Sequence, residues 1–154
     1  MIAISTASFL KKLKASPTVI SKNESSFASK NVLLRFTNAD RQYQIDARVM
    51  LSETEKTLNT QKISETDKYI VGKYDIEILT LPRIYITTDI EQSSTSTINI
   101  SAPGFFNYST GQPVVGQIFS QNSNGSWDWV CNLDENSRTG EFQLQPGAYR
   151  IVYR

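Results

Sequence analysis

Two tryptophans two residues apart, Trp127 and Trp129, are the side chains of this 154-residue sequence best suited to hold another molecule. On an extended strand, residues i and i+2 point to one face, so this spacing sets two indoles side by side. Tyr108, Tyr149 and Tyr153 are further rings in the same part of the chain. Aromatic residues at period two are first of all the core of a β-sandwich, and the alternative is a platform that stacks against a sugar or peptide. Cys131 continues the tryptophan face, with Asp128 and Val130 on the other.

Nucleophilic catalysis with a histidine base is excluded, because the sequence has no histidine. Cys131, the only cysteine, reads as a small buried hydrophobe rather than a reactive thiol, and it leaves no internal disulfide and no metal cluster. Two carboxylate pairs, Asp134 with Glu135 and Asp75 with Glu77, have spacings that suit acid–base work or a hard cation. The first lies in a polar loop and the second on the wet face of a strand, where carboxylates are solvated. The expectation is a chain with no catalytic residue, no metal and no cofactor.

Composition narrows the partners. Hydrophobic residues make up 39% and charged residues 20%, with a remainder rich in Ser, Thr, Asn and Gln, a mixture that suits β-sheet surfaces. A formal charge of +1 offers no field to draw the protein onto nucleic acid. No apolar run approaches the ~20 residues that span a bilayer. Met1-Ile2-Ala3-Ile4 is too short for a signal-peptide core, and the lysines follow it rather than precede it.

The aromatic residues must be positioned by strands. Tyr43, Ile45, Ala47 and Val49 alternate with Gln42, Gln44, Asp46 and Arg48, which is the pattern of a half-buried strand. An apolar run, Val32-Leu33-Leu34-Arg35-Phe36, precedes it. Ser52 to Asp67 is polar and reads as a long loop, or a loop carrying a weak strand near Thr60 to Ile63. Tyr74, Ile76 and Ile78 make the next inward row. After Pro82, Ile84, Ile86 and Ile90 face inward while Tyr85, Thr87 and Asp89 face out. Ile98 and Ile100 are expected to close a hairpin with that strand. Ala102-Pro103-Gly104 marks an internal boundary. Beyond it the plan restarts with Phe105-Phe106-Asn107-Tyr108, and Val115, Gln117 and Phe119 repeat the alternation of Tyr43 to Val49. An Asn124-Gly125 turn leads into the tryptophan strand. In the last strand Tyr149, Ile151 and Tyr153 share a face. Residues 1–30 form a basic arm, five lysines against Glu24, either flexible or weakly helical between Ser8 and Pro17, with Ser21 to Ser29 as linker.

The strongest internal signal is a repeat. Val71-Gly72-Lys73-Tyr74-Asp75-Ile76 returns as Pro146-Gly147-Ala148-Tyr149-Arg150-Ile151, each glycine permitting a tight turn and each tyrosine starting an inward face. The chain thus divides into an arm over 1–30 and two tandem units over 31–102 and 103–154. The order of a short strand, a longer alternating strand, Leu-x-Pro-Gly-x-Tyr and a final strand resembles the prealbumin-like or carboxypeptidase-regulatory-like β-sandwich modules of bacterial envelope proteins. Val71 to Arg83 and Leu144 to Arg154 resemble the region that follows the von Willebrand factor A domain in some bacterial surface proteins. The resemblance implies an all-β chain of two tandem prealbumin-like (Ig-like) sandwich units and a periplasmic or cell-surface location. The Asp-x-Ser-x-Ser metal-adhesion motif is missing, so no divalent-ion site carries over. Val71 also stands where the second copy has Pro146.

These readings lead to a non-catalytic accessory, scaffold or protein-interaction module of a bacterial envelope protein, partnered by another protein or by other domains of its parent. The alternative is a carbohydrate- or peptide-binding module that uses Trp127, Trp129 and Tyr108. The second unit stops at Arg154, where the first continues to Ile100, so it is expected to be incomplete, with a C-terminal sheet edge open to strand addition.

Overall fold

The computed structural model describes residues 20–24, 32–38, 44–54, 56–92 and 94–154, the first two stretches by their backbone. These residues are all-β, with mostly antiparallel sheets, and among them there is no helix long and apolar enough to cross a membrane. Two compact units divide them, one within Ser16–Ala102 and the other within Pro103–Arg154. The helix considered between Ser8 and Pro17 lies outside the described residues.

Within Ser16–Ala102, one sheet runs β4 (Lys56–Lys62), β3 (Asp46–Leu51), β6 (Gly72–Ile78), β7 (Ile84–Ile90), all antiparallel. The other runs β1 (Ile20–Glu24), β8 (Ser94–Ile100), β2 (Val32–Asn38), β5 (Thr66–Tyr69), with β2 and β8 parallel. Ala47, Val49, Tyr74, Ile76, Ile78 and Ile90 of the first sheet and Tyr69, Ile98 and Ile100 of the second form one core, a sandwich-like arrangement. Tyr69 and Gln61 link the two sheets through a buried hydrogen bond. The Tyr69 phenol donates to Gln61 Oε1 (2.9 Å), and the Gln61 amide donates to the Glu65 carbonyl (2.8 Å).

Three expectations are corrected here. β8 does not close a hairpin with β7; it lies in the other sheet, between β1 and β2. Period two fixes which side of a strand is buried, not its neighbour, and Ile90 and Ile98 enter the same core from different sheets. The polar stretch Ser52 to Asp67 holds a full strand and the start of another. The weak strand considered near Thr60 to Ile63 overlaps the end of β4, which starts earlier, at Lys56; its sequence signal is faint because β4 buries only Gln61. Part of the supposed linker is β1, a polar strand paired along β8.

Within Pro103–Arg154, β9 (Gly104–Ser109) pairs with β12 (Thr139–Leu144), and β10 (Gly116–Gln121) lies between β11 (Trp127–Asn132) and β13 (Tyr149–Tyr153). The buried apolar residues are Val114, Ile118, Val130, Leu133 and Leu144. Ile118 is fully buried and Val115 is exposed, so Val115, Gln117 and Phe119 occupy the outward phase, not the inward phase of Ala47 and Val49. The β10–β11 hairpin closes on Asn122, whose carbonyl accepts the Gly125 N–H (3.0 Å) and whose N–H donates to the Ser126 carbonyl (2.9 Å). Gly125 sits at φ +81°, a backbone that glycine tolerates.

The two units repeat one pairing plan. β2 pairs with β5 and β3 joins β4 to β6; likewise β9 pairs with β12 and β10 joins β11 to β13. The registers also correspond, Leu51 to Tyr74 and Val49 to Ile76 in the first, Ser120 to Tyr149 and Ile118 to Ile151 in the second. Each hairpin has a bulge at the same place, adding Leu58 to β4 and Val130 to β11.

The repeated tyrosines act alike. The Tyr74 phenol donates to the carbonyl of Ile70 (2.9 Å), and the Tyr149 phenol to that of Gln145 (2.5 Å), four residues back in each case. The glycines do not supply a left-handed backbone. A Cβ on Gly72 or Gly147 would meet the tyrosine ring at 3.5 Å, ordinary contact. At Gly116, by contrast, a Cβ would come within 2.6 Å of Leu133 Cδ1 and 3.0 Å of the Val152 carbonyl. Both tryptophans lie in this unit, so their emission follows its unfolding. In urea titrations, Tyr149→Phe is expected to lower stability by about 1 kcal/mol and Gly116→Ala by about 1–3 kcal/mol. Gly147→Ala is expected to leave stability unchanged or raised by up to about 1 kcal/mol; a loss as large as that of Tyr149→Phe would refute this account of the motif.

Candidate binding face

In an antiparallel pair, residues directly opposite one another share a face. Across β11, β10 and β13 the fully buried Ile118 pairs with Cys131 and Ile151, which defines the inner face. Phe119 pairs with Trp129 and Arg150, Gln121 with Trp127, and Gln117 with Asn132 and Val152, so these residues form the outer face. The bulge at Val130 creates this division. It admits one extra residue between Trp129 and Cys131, so Val130 is buried, Cys131 turns inward and Asn132 turns outward. Without it, Cys131 would have continued the tryptophan face, as regular alternation predicts.

Trp129 is 58% exposed yet fixed in position. Its indole N–H donates to Asn132 Oδ1 (3.1 Å), which also accepts from Gln117 Nε2 (3.3 Å). Trp127 is half-buried, with the Arg150 guanidinium 4.3 Å from its ring centroid. Arg150 therefore reaches across β10 to lie on the far strand's indole. The tryptophans are not core residues.

The other rings do not join them. Tyr108 faces Gly140 across β9–β12 and belongs to a stack with Phe106 and Phe142, at centroid separations of 6.3–6.4 Å. A Cβ at Gly140 would run into the Tyr108 ring, so the glycine makes room for it. The Tyr108 hydroxyl is buried, and the residue is set apart from the face proposed for it. Tyr149 and Tyr153 pair with Ser120 and Gly116 on the inner face. Gly72, Tyr74 and Gly147 serve the architecture described above.

Glu77, Asp75 and Asp134 are engaged with their neighbours. Glu77 is buried rather than solvated, and it accepts from Arg48 (3.2 Å), from Arg83 and from the Tyr85 hydroxyl (3.3 Å). Thr87 Oγ1 donates to Asp75 (2.5 Å), which holds that carboxyl below its usual range. Asp134 and Glu135 are exposed, and Asp134 Oδ1 accepts the Asn136 N–H (3.0 Å) of its own turn. Cys131 is half-buried, and burial raises its thiol pKa. Among the described residues, no three acidic or cysteine side chains gather where they could hold a metal. Asn132 and Arg150 are the face residues that the sequence reading missed, since only the bulge and the cross-strand register put them beside the tryptophans.

Compared with protein-family models, curated proteins and solved structures, the chain matches none of them.

The Glu77 cluster sets an acid limit on its unit. Burial pushes the carboxyl pKa up, but hydrogen bonds from Arg83 and Tyr85 and the charges of Arg83 and Arg48 leave it net below the ordinary value. A lowered folded pKa means that the stabilisation is present above the unfolded value of about 4.3 and is lost as pH falls through the folded value. Both arginines are about half exposed, so the effect is modest. Urea midpoints read from tyrosine circular dichroism should fall on acidification below about pH 4.3, and the fall should be shallower in Glu77→Gln.

Proposed function

We propose that the chain is a non-catalytic accessory module of a bacterial envelope protein, built on two prealbumin-like, Ig-like sandwich units, and that it binds a carbohydrate or peptide through the face around Trp127 and Trp129. The observation that carries this reading is the exposed, hydrogen-bonded Trp129 ring beside Phe119, with Arg150 resting on the neighbouring Trp127. An indole fixed in this way offers a large contact area and loses little freedom on binding. The periplasmic or cell-surface setting and the module type rest on the resemblance of the Gly-x-Tyr segments.

Calorimetric titration of the intact chain with solubilised envelope polysaccharides and with peptide libraries tests the reading. Saturable binding weakened at least tenfold by Trp129→Ala supports it; tenfold corresponds to about 1.4 kcal/mol. Unchanged affinity in that variant would remove the face from the reading, and reproducible turnover of any substrate would defeat the non-catalytic part.

A strand from another protein, or from another domain of the parent, is a second mode of attachment. It is supported by the pairing plan. β7 flanks β6 in the first unit, whereas among the described residues β13, the counterpart of β6, pairs only with β10. Such a partner should slow amide exchange along β13. Slowing confined to Phe119, Trp127 and Trp129 would point to the sheet face instead.

A further inference from the structure

We infer that the outer face of the β11–β10–β13 sheet binds an acidic polysaccharide, a glycan carrying uronate groups, with a sugar ring stacked on Trp129 and a carboxylate at Arg150. This deepens, and rests on, the binding-module reading above.

The stacking element is Trp129, exposed and tethered by Asn132. A sugar ring presents an apolar C–H face to such an indole, while its hydroxyls need partners at the rim. Gln117, Gln121 and Asn132 provide them, because each amide can both donate and accept, as a hydroxyl does.

The charged element is Arg150. Its guanidinium lies against Trp127 and has no carboxylate partner among the described residues. A guanidinium resting on an indole still has N–H groups to offer a carboxylate. Arg48 and Arg83, in the other unit, are both committed to Glu77. No Asp or Glu occupies an outward position on the three strands, since Asp128 pairs with Ser120 in the inward phase and accepts from Asn122 (3.0 Å). An anionic ligand on the outer face therefore meets the Arg150 cation, while the one carboxylate of the three strands, the exposed Asp128, lies in the opposite phase.

The geometry favours a glycan over an acidic peptide. The rings and amides project from a sheet whose central strand, β10, is hydrogen-bonded on both sides, so the face offers no backbone partners for a peptide chain. The Arg150 guanidinium lies on the Trp127 ring, and Trp127 and Trp129 are two residues apart along β11, about 7 Å, so a glycan stacked on Trp129 can place the carboxylate of the same or the next sugar at Arg150.

Titration of the intact protein with oligogalacturonate, oligomannuronate, a neutral cello-oligosaccharide and oligoglutamate tests the inference. At least one acidic glycan is expected to bind at least tenfold more tightly than the neutral one, with affinity falling as salt rises. Trp129→Ala should lower acidic-glycan affinity at least tenfold, with the fold confirmed by Trp127 emission. Arg150→Gln should bring acidic and neutral glycans level. Equal binding of the neutral oligosaccharide by the unaltered protein overturns the inference, as does oligoglutamate binding without glycan binding. If no glycan binds, the inference fails; Trp129-dependent binding to peptides would then leave the broader reading standing, whereas no Trp129-dependent binding at all would end both.

Discussion

The extra residue at Val130 is the constraint from which the candidate face follows. A strand alternates strictly, so a register shift of one residue sends every later side chain to the other face. In β11 the shift falls after Trp129. Both indoles stay outward, Val130 is buried, and Asn132 arrives on the outer side, where it accepts the Trp129 N–H. Without the bulge, Asn132 would point inward and the Trp129 ring would lose the hydrogen bond that orients it. One backbone irregularity thus produces both a packed inner side and an organised aromatic outer side.

The first unit shows what the scaffold requires without that face. In the shared register, Met50 stands at the place of Phe119, Thr57 at that of Trp129, Thr60 at that of Asn132 and Asp75 at that of Arg150. The same sheet is therefore built with no aromatic ring at these positions. Its outer surface carries instead the Arg48–Glu77–Arg83 ion pairs, with Tyr85 of β7 bonded to Glu77. Inner positions behave differently. Tyr74 matches Tyr149, Ile76 matches Ile151, and each phenol bonds to the carbonyl four residues before it. Architecture explains the inner correspondence but leaves the outer difference unexplained, which is the argument that the rings serve recognition.

Much of the fold was legible because apolar alternation reports burial directly. Tyr74, Ile76 and Ile78, and likewise Ile84, Ile86 and Ile90, read correctly as inward rows. The Gly-x-Tyr repeat marked equivalent positions in the two units, although it did so through the tyrosine hydrogen bond and not through a left-handed glycine. Three kinds of information were out of reach. Neighbour choice is not encoded by period, so β8 was assigned to the wrong sheet. Polar strands such as β4 and β1 carry no apolar signal. A bulge changes phase without changing composition, so Cys131 was grouped with the tryptophans and Asn132 was overlooked. Tyr108 was grouped with them by residue type alone, but its partner across the sheet is Gly140, and its ring fills the space that glycine leaves.

An exposed indole is also a liability for the folded state. Leaving a large apolar ring in water gains none of the ~25 cal/mol per Å² that burial provides, and a contiguous exposed apolar patch invites non-specific association. The face limits that exposure in two ways. Arg150 lies over Trp127 and half-covers it with a charged group that remains hydrated at its edge. Amides at Gln117, Gln121 and Asn132 surround the rings with polar groups. The arrangement keeps one ring open, one ring capped by a cation and the rim neutral. A face needed only to keep water from the sheet would not leave its largest ring uncovered while holding it in a single orientation.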